Sequence, residues 1–263
     1  IFPLLRVLAD RPELPARFLI LGSAAPELLK HTAESLAGRV VFHELDGLSF
    51  DEIAPSGSAD WLEKRWLRGG FPRALLANDT QQSREWRDAF IRTYLERDLP
   101  QLGINLPALT LRRFWTMLAH YHGQTWNGSE LSRSLGVSDK TVSRYLDILE
   151  GTFMAFRLMP WHANLGKREV KAPKVYVADT GLLHSLLGIG EADALLAHPK
   201  CGASWEGLMV REIIRSTGAK RGEAFFWGAH AGAELDLLIL KDNRRLGFEI
   251  KLSKSPKVTA SMR

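Results

Sequence analysis

Glu234 and Asp236 lie two residues apart in an alternating segment, and thirteen residues after Asp236 comes Glu249-Ile250-Lys251. On a strand, residues i and i+2 project to one face, so each pair presents its polar groups together. Glu206, on a preceding helical stretch, completes the set. Carboxylate oxygens of this kind hold a hard divalent cation, and a lysine beside them can position or activate a water against a phosphodiester. The candidate catalytic residues are Asp236, Glu249 and Lys251, and the candidate metal ligands are Glu206, Asp236 and Glu249. The same residues also suit a scaffold in which Lys251 simply neutralises Glu249 or Asp236.

A second set is basic and helical. Ser129 can cap a short helix that buries Leu131 and Leu135, Gly136 permits a tight turn, and Val137 plugs the space between two helices. Ser138 or Asp139 then caps a second helix with Val142, Tyr145, Leu146 and Leu149 inward. Lys140, Thr141, Ser143 and Arg144 are left outward, the short polar and basic set that a recognition helix presents to a major groove. Paired segments at 153–157 and 174–178 would make a wing, with Lys167, Arg168, Lys171 and Lys174 in or beside its loop. The expected partner is double-stranded DNA. A winged helix serves equally as a docking module for a protein or a second copy of the chain.

The elements that must position these residues follow from periodicity. Phe18 to Leu21, ending in Gly22-Ser23, and Val40 to Leu45 read as buried strands around a helix over Ala25–Ala37, which implies an open α/β sheet. Residues 49–106 read as helical, with Gly69-Gly70-Phe71-Pro72 as the break and an amphipathic helix over Arg84–Leu99 presenting Trp86, Phe90, Tyr94 and Leu95. Helices are expected over Leu109–His122 and Ala203–Ser216, and strands over Ala224–Trp227, Ala233–Leu240 and Leu246–Lys251. The last helix and strands match a PD-(D/E)xK nuclease-like α/β lobe.

The 263 residues carry 45% apolar and 25% charged side chains, the values of an ordinary globular protein. A single cysteine, Cys201, excludes a disulfide framework within the chain and a cysteine-based zinc site, and points to a reducing, cytoplasmic setting. No apolar run reaches the roughly 18 residues of a membrane span. The net charge of +5 is uneven: Lys and Arg number ten against five Asp and Glu over 109–175, but 13 against 15 before it. That local excess suits an acidic polymer. The chain begins without methionine and reads as a fragment.

Several blocks in order resemble prokaryotic AAA+-type P-loop ATPases with a C-terminal domain of unknown function (domain of unknown function 4143). They are Arg17–Ser23, Glu34–Val40, Leu48–Glu52, Gly69–Pro72, Thr93–Asp98, Asn164–Arg168, Lys174–Leu182 and Gly232–Asp236. The resemblance implies the end of a nucleotide-binding domain over 1–46, a helical lid over 47–106, a winged helix over 107–178 and the nuclease-like lobe over 179–263. It implies ATP and Mg²⁺ in the complete protein. Ser23 would orient water or the γ-phosphate, Arg39 would stabilise transition-state charge, and Gly70 and Pro72 would lie against adenine. No G-x-x-x-x-G-K-[ST] occurs in the 263 residues, so these residues alone are expected not to hydrolyse ATP.

Overall fold

The computed structural model describes residues 2–12, 17–23, 41–53, 59–161, 171–220, 222–228 and 234–253. Helix α1 (Phe2–Ala9) comes first. The expected strands over 18–21 and 40–45 are not found among the described residues: 18–21 and 41–45 carry no regular secondary structure, and Leu19 and Leu45 are each 88% exposed. A strand is held by the backbone groups of a neighbour, and no described strand pairs with either run. The expected helix over 25–37, with Arg39 after it, lies outside the described residues.

Helices α2 (Phe50–Ile53), α3 (Ala59–Arg68), α4 (Pro72–Leu75) and α5 (Thr80–Thr93) follow. Asp79 caps α5 by accepting the Gln82 amide at 2.8 Å. The helix runs on through a π-helical turn, Tyr94–Asp98, into α6 (Leu99–Gln101). Its apolar stripe is the expected one. Trp86 stacks on Phe90 and Phe90 on Tyr94, with ring centroids 5.3 and 6.3 Å apart.

Beyond it lie α7 (Ala108–His120), β1 (Gln124–Thr125), α8 (Gly128–Leu135), α9 (Asp139–Gly151), β2 (Ala155–Pro160), β3 (Lys174–Val177) and α10 (Thr180–Leu187). The last elements are α11 (Ala192–Ala197), α12 (Cys201–Thr217), β4 (Ala224–Gly228), β5 (Glu234–Lys241) and β6 (Arg244–Phe248). Among the described residues they make a mixed α/β arrangement with one six-stranded sheet in the order β1-β3-β2-β4-β5-β6. The sheet is antiparallel except where β2 meets β4 in parallel, at Met159↔Phe225 and Pro160↔Phe226. The β5–β6 hairpin turns on Asp242 and Asn243, both left-handed (φ 50° and 62°), the residue types that tolerate this best after glycine.

Three apolar clusters hold these elements. Phe114, Trp115 and Leu118 of α7 meet Val142, Leu146 and Leu149 of α9, with Leu182 and Leu183 of α10 beside them. A second cluster joins Trp66 and Leu67 to Leu195 and Leu208. The third packs Val210 of α12 against Leu158, Tyr176, Phe226, Leu237 and Ile239 of the sheet. Each such side chain contributes about 1.5–3 kcal/mol by leaving water, so α12 is fastened to the sheet's face and α9 to α7. Asp179 ties the helical segment to α10: it accepts the Gly70 amide at 2.6 Å and the Leu182 amide at 3.0 Å.

Candidate functional site

Two sites meet on this framework. The first is the α8–α9 pair. The N-cap of α8 is Asn127, whose side chain accepts the Glu130 amide at 3.3 Å; this replaces Ser129 in the expected role. Ser129 instead donates to Asp139 at 2.6 Å, and Ser132 donates to the same carboxylate. Asp139 thereby fastens the start of α9 to α8, and the two hydroxyls hold its pKa below the usual carboxylate value. Gly136 ends α8 in the left-handed region (φ 71°, ψ 33°), and Ser138 caps α9 by accepting the Thr141 amide at 3.2 Å, both as expected. Val142, Tyr145, Leu146 and Leu149 are buried as expected.

On the outward side, Lys140 and Arg144 are exposed, and Thr141 and Ser143 are half-buried. Farther along α9, Asp147 and Glu150 are both bound to Arg157 of β2, the former at 2.6 Å. Arg157 is thus shared by two acids of this helix, while Lys140 and Arg144 face solvent at its N-terminal end beside Asp139, which is bound to two serine hydroxyls. Behind it, β2 and β3 pair antiparallel from Ala155↔Val177 to Leu158↔Lys174. Lys171 is exposed beside that hairpin, and Lys167 and Arg168 lie outside the described residues.

Lys174 corrects the sequence reading. It is a buried residue at 5% exposure, not a loop cation. Its ammonium is 3.0 Å from Glu206 of α12, is paired with Glu234, and is 3.9 Å from Asp236 of β5. The Tyr176 hydroxyl donates to Glu206 at 2.7 Å. The sign of this arrangement was available in the period of β3: Lys174 and Tyr176 share a face, alternating with Val175 and Val177.

The second site is therefore a carboxylate–lysine cluster. Asp236, Glu249 and Lys251 are brought together as the spacing predicts, but Glu249 and Lys251 lie past the end of β6 and not on it. The Ile250 amide donates to Asp236 at 2.7 Å, which holds the segment after β6 against β5. Lys251 reaches Glu249 at 2.9 Å and Asp236 at 3.9 Å. Burial pushes the Asp236 carboxyl up to about 6, against the opposing effect of the Ile250 amide. Burial also works against the charge of Lys174, but Glu206 and Glu234 outweigh it and raise its pKa. Among the described residues, no three His, Cys, Asp or Glu side chains are grouped to hold a metal ion. Glu206, Asp236 and Glu249 do not fit that role as placed, because ammonium groups stand between them.

Of the expected nucleotide residues, Ser23, Gly70 and Pro72 are described, and Arg39 lies outside the described residues. Ser23 is exposed at the end of the unpaired run 17–23. Gly70 has its amide committed to Asp179, and a side chain on it would meet the Arg65 guanidinium at 2.9 Å. Pro72 is exposed at the first turn of α4. Gly70 in this arrangement offers no open face to a base.

Comparison with known proteins places this geometry in a family. Residues 59–193, a little over half of the chain, match the family described as a domain of unknown function (DUF8612), and the chain belongs to it. Residues 201–263 match a second domain of unknown function (DUF4143), the C-terminal domain that the resemblance implied. The sheet crosses from one match to the other: β1, β2 and β3 lie in the first, β4 to β6 in the second, and the parallel β2–β4 pairing joins them. Uncharacterized proteins of Mycobacterium tuberculosis and Mycobacterium bovis are each 49% identical over all 263 residues, and the chain spans 58% of the length of each. An uncharacterized protein of Haemophilus influenzae is 27% identical over 250 residues, 88% of this chain and 58% of that protein. No solved structure matches. Among the described residues, no helix is long and apolar enough to cross a membrane.

Proposed function

We propose that the chain is the C-terminal portion of an ATP-binding, AAA+-type protein, and that its part in that protein is to dock on duplex DNA through a winged helix made of α7, α8, α9 and the β2–β3 hairpin. The observation that carries the reading is the outward N-terminal end of α9. There Lys140 and Arg144 are exposed, while Asp147 and Glu150 are taken up by Arg157. A helix of this kind enters the major groove by its N-terminal residues and gains affinity when basic side chains neutralise phosphates. The ATP-binding part of the reading, with Mg²⁺ and a cytoplasmic setting, rests on the sequence resemblance and concerns the whole protein; no catalytic step is assigned to these 263 residues.

The test is fluorescence anisotropy of a labelled duplex across a salt titration. Every phosphate left without its basic partner changes the log–log salt slope by roughly 0.9. Lys140→Ala with Arg144→Ala should flatten the slope by about 1.8 and weaken binding at low salt. An unchanged slope would leave the outward face of α9 to a protein partner or a second copy of the chain. The alternative reading, a metal-dependent nuclease using Asp236, Glu249 and Lys251, is supported by the gathering of these residues around β5 and opposed by the lysines that fill the cluster. Cleavage with Mg²⁺ or Mn²⁺ that disappears in Asp236→Ala would carry it.

A further inference from the structure

The segment from Asp46 to Ile53 is fastened to α3 and α12 mainly by polar groups. Arg211 and Arg215, one turn apart on α12, pair with Asp46 and Glu52, the second pair at 2.7 Å. Arg215 also donates to the Gly47 carbonyl. Arg65 of α3 donates to the Leu48 carbonyl at 2.7 Å and to Glu212 of α12 at 3.2 Å, and Glu212 in turn accepts the Phe50 amide at 3.3 Å. The Leu48 amide donates to the Gly70 carbonyl at 2.8 Å. Within the segment, Ser49 and Glu52 make a reciprocal cap for α2. The Ser49 amide and hydroxyl donate to Glu52 at 2.8 and 3.0 Å, and the Glu52 amide donates to the Ser49 hydroxyl at 3.3 Å.

Apolar burial adds little to this attachment. Ser49 is the only one of these residues that is buried, and of Leu48, Phe50 and Ile53 only Phe50 packs against an apolar cluster. The ion pairs made by Arg211 and Arg215 are open to water, with side chains 27–49% exposed. An element held in this way opens locally at a cost below that of global unfolding, and exposed ion pairs weaken as salt rises. A second observation favours opening. Arg65 Nη1 is buried without a hydrogen-bond partner, and lifting Leu48 from this guanidinium admits water and relieves that cost.

We propose that residues 46–53 are a releasable strap, an electrostatic latch that opens as a unit while the helices and the sheet stay folded. Its reciprocal cap keeps α2 together on release. The strap lies upstream of the first family match, and α12 lies in the second, so the latch governs how the upstream residues are held to the C-terminal segment. Open, it leaves Arg211 and Arg215 without their carboxylates, while the Arg65–Glu212 pair still joins α3 to α12. This inference is independent of DNA docking and of nucleotide binding.

The test is hydrogen exchange of the Leu48 and Phe50 amides in the 263-residue chain, with the buried amides of α9 as the internal reference. In wild type the strap amides should exchange faster than those of α9. Raising NaCl from about 0.05 to about 0.5 M should speed the strap at least about threefold and leave α9 unchanged. Arg211→Met with Arg215→Met keeps both amide bonds, and should speed the strap at least about fivefold at low salt and remove most of the salt response. Should that variant loosen α9 as well, Asp46→Asn carries the test, because it leaves α12 untouched. Strap exchange about twofold faster with α9 unchanged upholds the latch, and an unchanged strap rate refutes it. Strap amides that exchange in step with α9, a wild-type rate indifferent to salt, or a double variant that keeps the wild-type salt response would each overturn the proposal.

Discussion

Replacing Asp179 with alanine deletes two acceptors at once. One accepts the Leu182 amide at the N-terminus of α10, and the loss of such a cap costs about 1 kcal/mol. The other accepts the buried Gly70 amide at 2.6 Å, a hydrogen bond to a charged group worth about 1.5–3 kcal/mol. The change also strips a negative charge from the neighbourhood of Arg87, whose pKa is lowered by burial and partly restored by Asp179. Together these give an expected loss of about 3–4 kcal/mol, a large share of the 5–15 kcal/mol typical of a domain. Urea unfolding followed by circular dichroism measures it. Asp179→Asn keeps one acceptor and should lose about half as much.

Gly69 supplies the sharper check. It sits at φ +84°, and a side chain there would overlap the Asp179 carboxylate. Gly69→Ala alone therefore incurs both the overlap and the left-handed backbone penalty. In the Asp179→Ala background only the latter remains, about 1 kcal/mol. The double-mutant cycle should show coupling of at least about 1 kcal/mol. A loss below about 1 kcal/mol for Asp179→Ala, or strict additivity with Gly69→Ala, would refute the view that this carboxylate joins the two segments.

Acid should destabilise the fold through two histidines. Burial holds His122 down to about 3 and His184 down to about 4, whereas both titrate near 6.5 when unfolded. Below pH 6.5 the unfolded chain binds protons that the native state refuses, so each costs about 2 kcal/mol by pH 5. Asp236, raised to about 6, works in the opposite sense and returns about 1 kcal/mol over the same interval. The net loss of about 3 kcal/mol should appear as a lower urea midpoint at pH 5 than at pH 7; equal midpoints would mean that the histidines accept protons in the native state. Two glycine variants should separate backbone from steric cost. Gly136→Ala meets open space and should lose about 1 kcal/mol for its left-handed conformation. Gly207→Ala drives a methyl into the buried His122 ring, so its thermal midpoint should fall further.

Where folding information is local, sequence and structure agree. Gly136 must adopt positive φ to close the turn, Ser138 caps the following helix, and the apolar spacing of α9 buries the residues it names. The strands carrying Phe226, Asp236 and Leu246 were legible from alternation, because each faces helix α12 on one side. Sequence and structure part where a position depends on a distant partner. Phe18–Leu21 has the composition of a core strand, yet composition supplies no neighbour to bond its backbone. Ser129 is a sound cap by type, but Asn127 stands two residues earlier and Asp139 claims the serine.

The amino-acid order by itself determined the α8–α9 helix pair and its turn, the final strands and the membership of Asp236, Glu249 and Lys251 in one polar group, since caps, turns and periodicity act over a few residues. Only the tertiary structure decided what neutralises that group. Lys174 lies 32 residues from Glu206 along the chain and still ends 3.0 Å from it, because α12 packs across the face of the sheet that holds both β3 and β5, and charge compensation in a buried space follows distance in three dimensions, not distance in sequence.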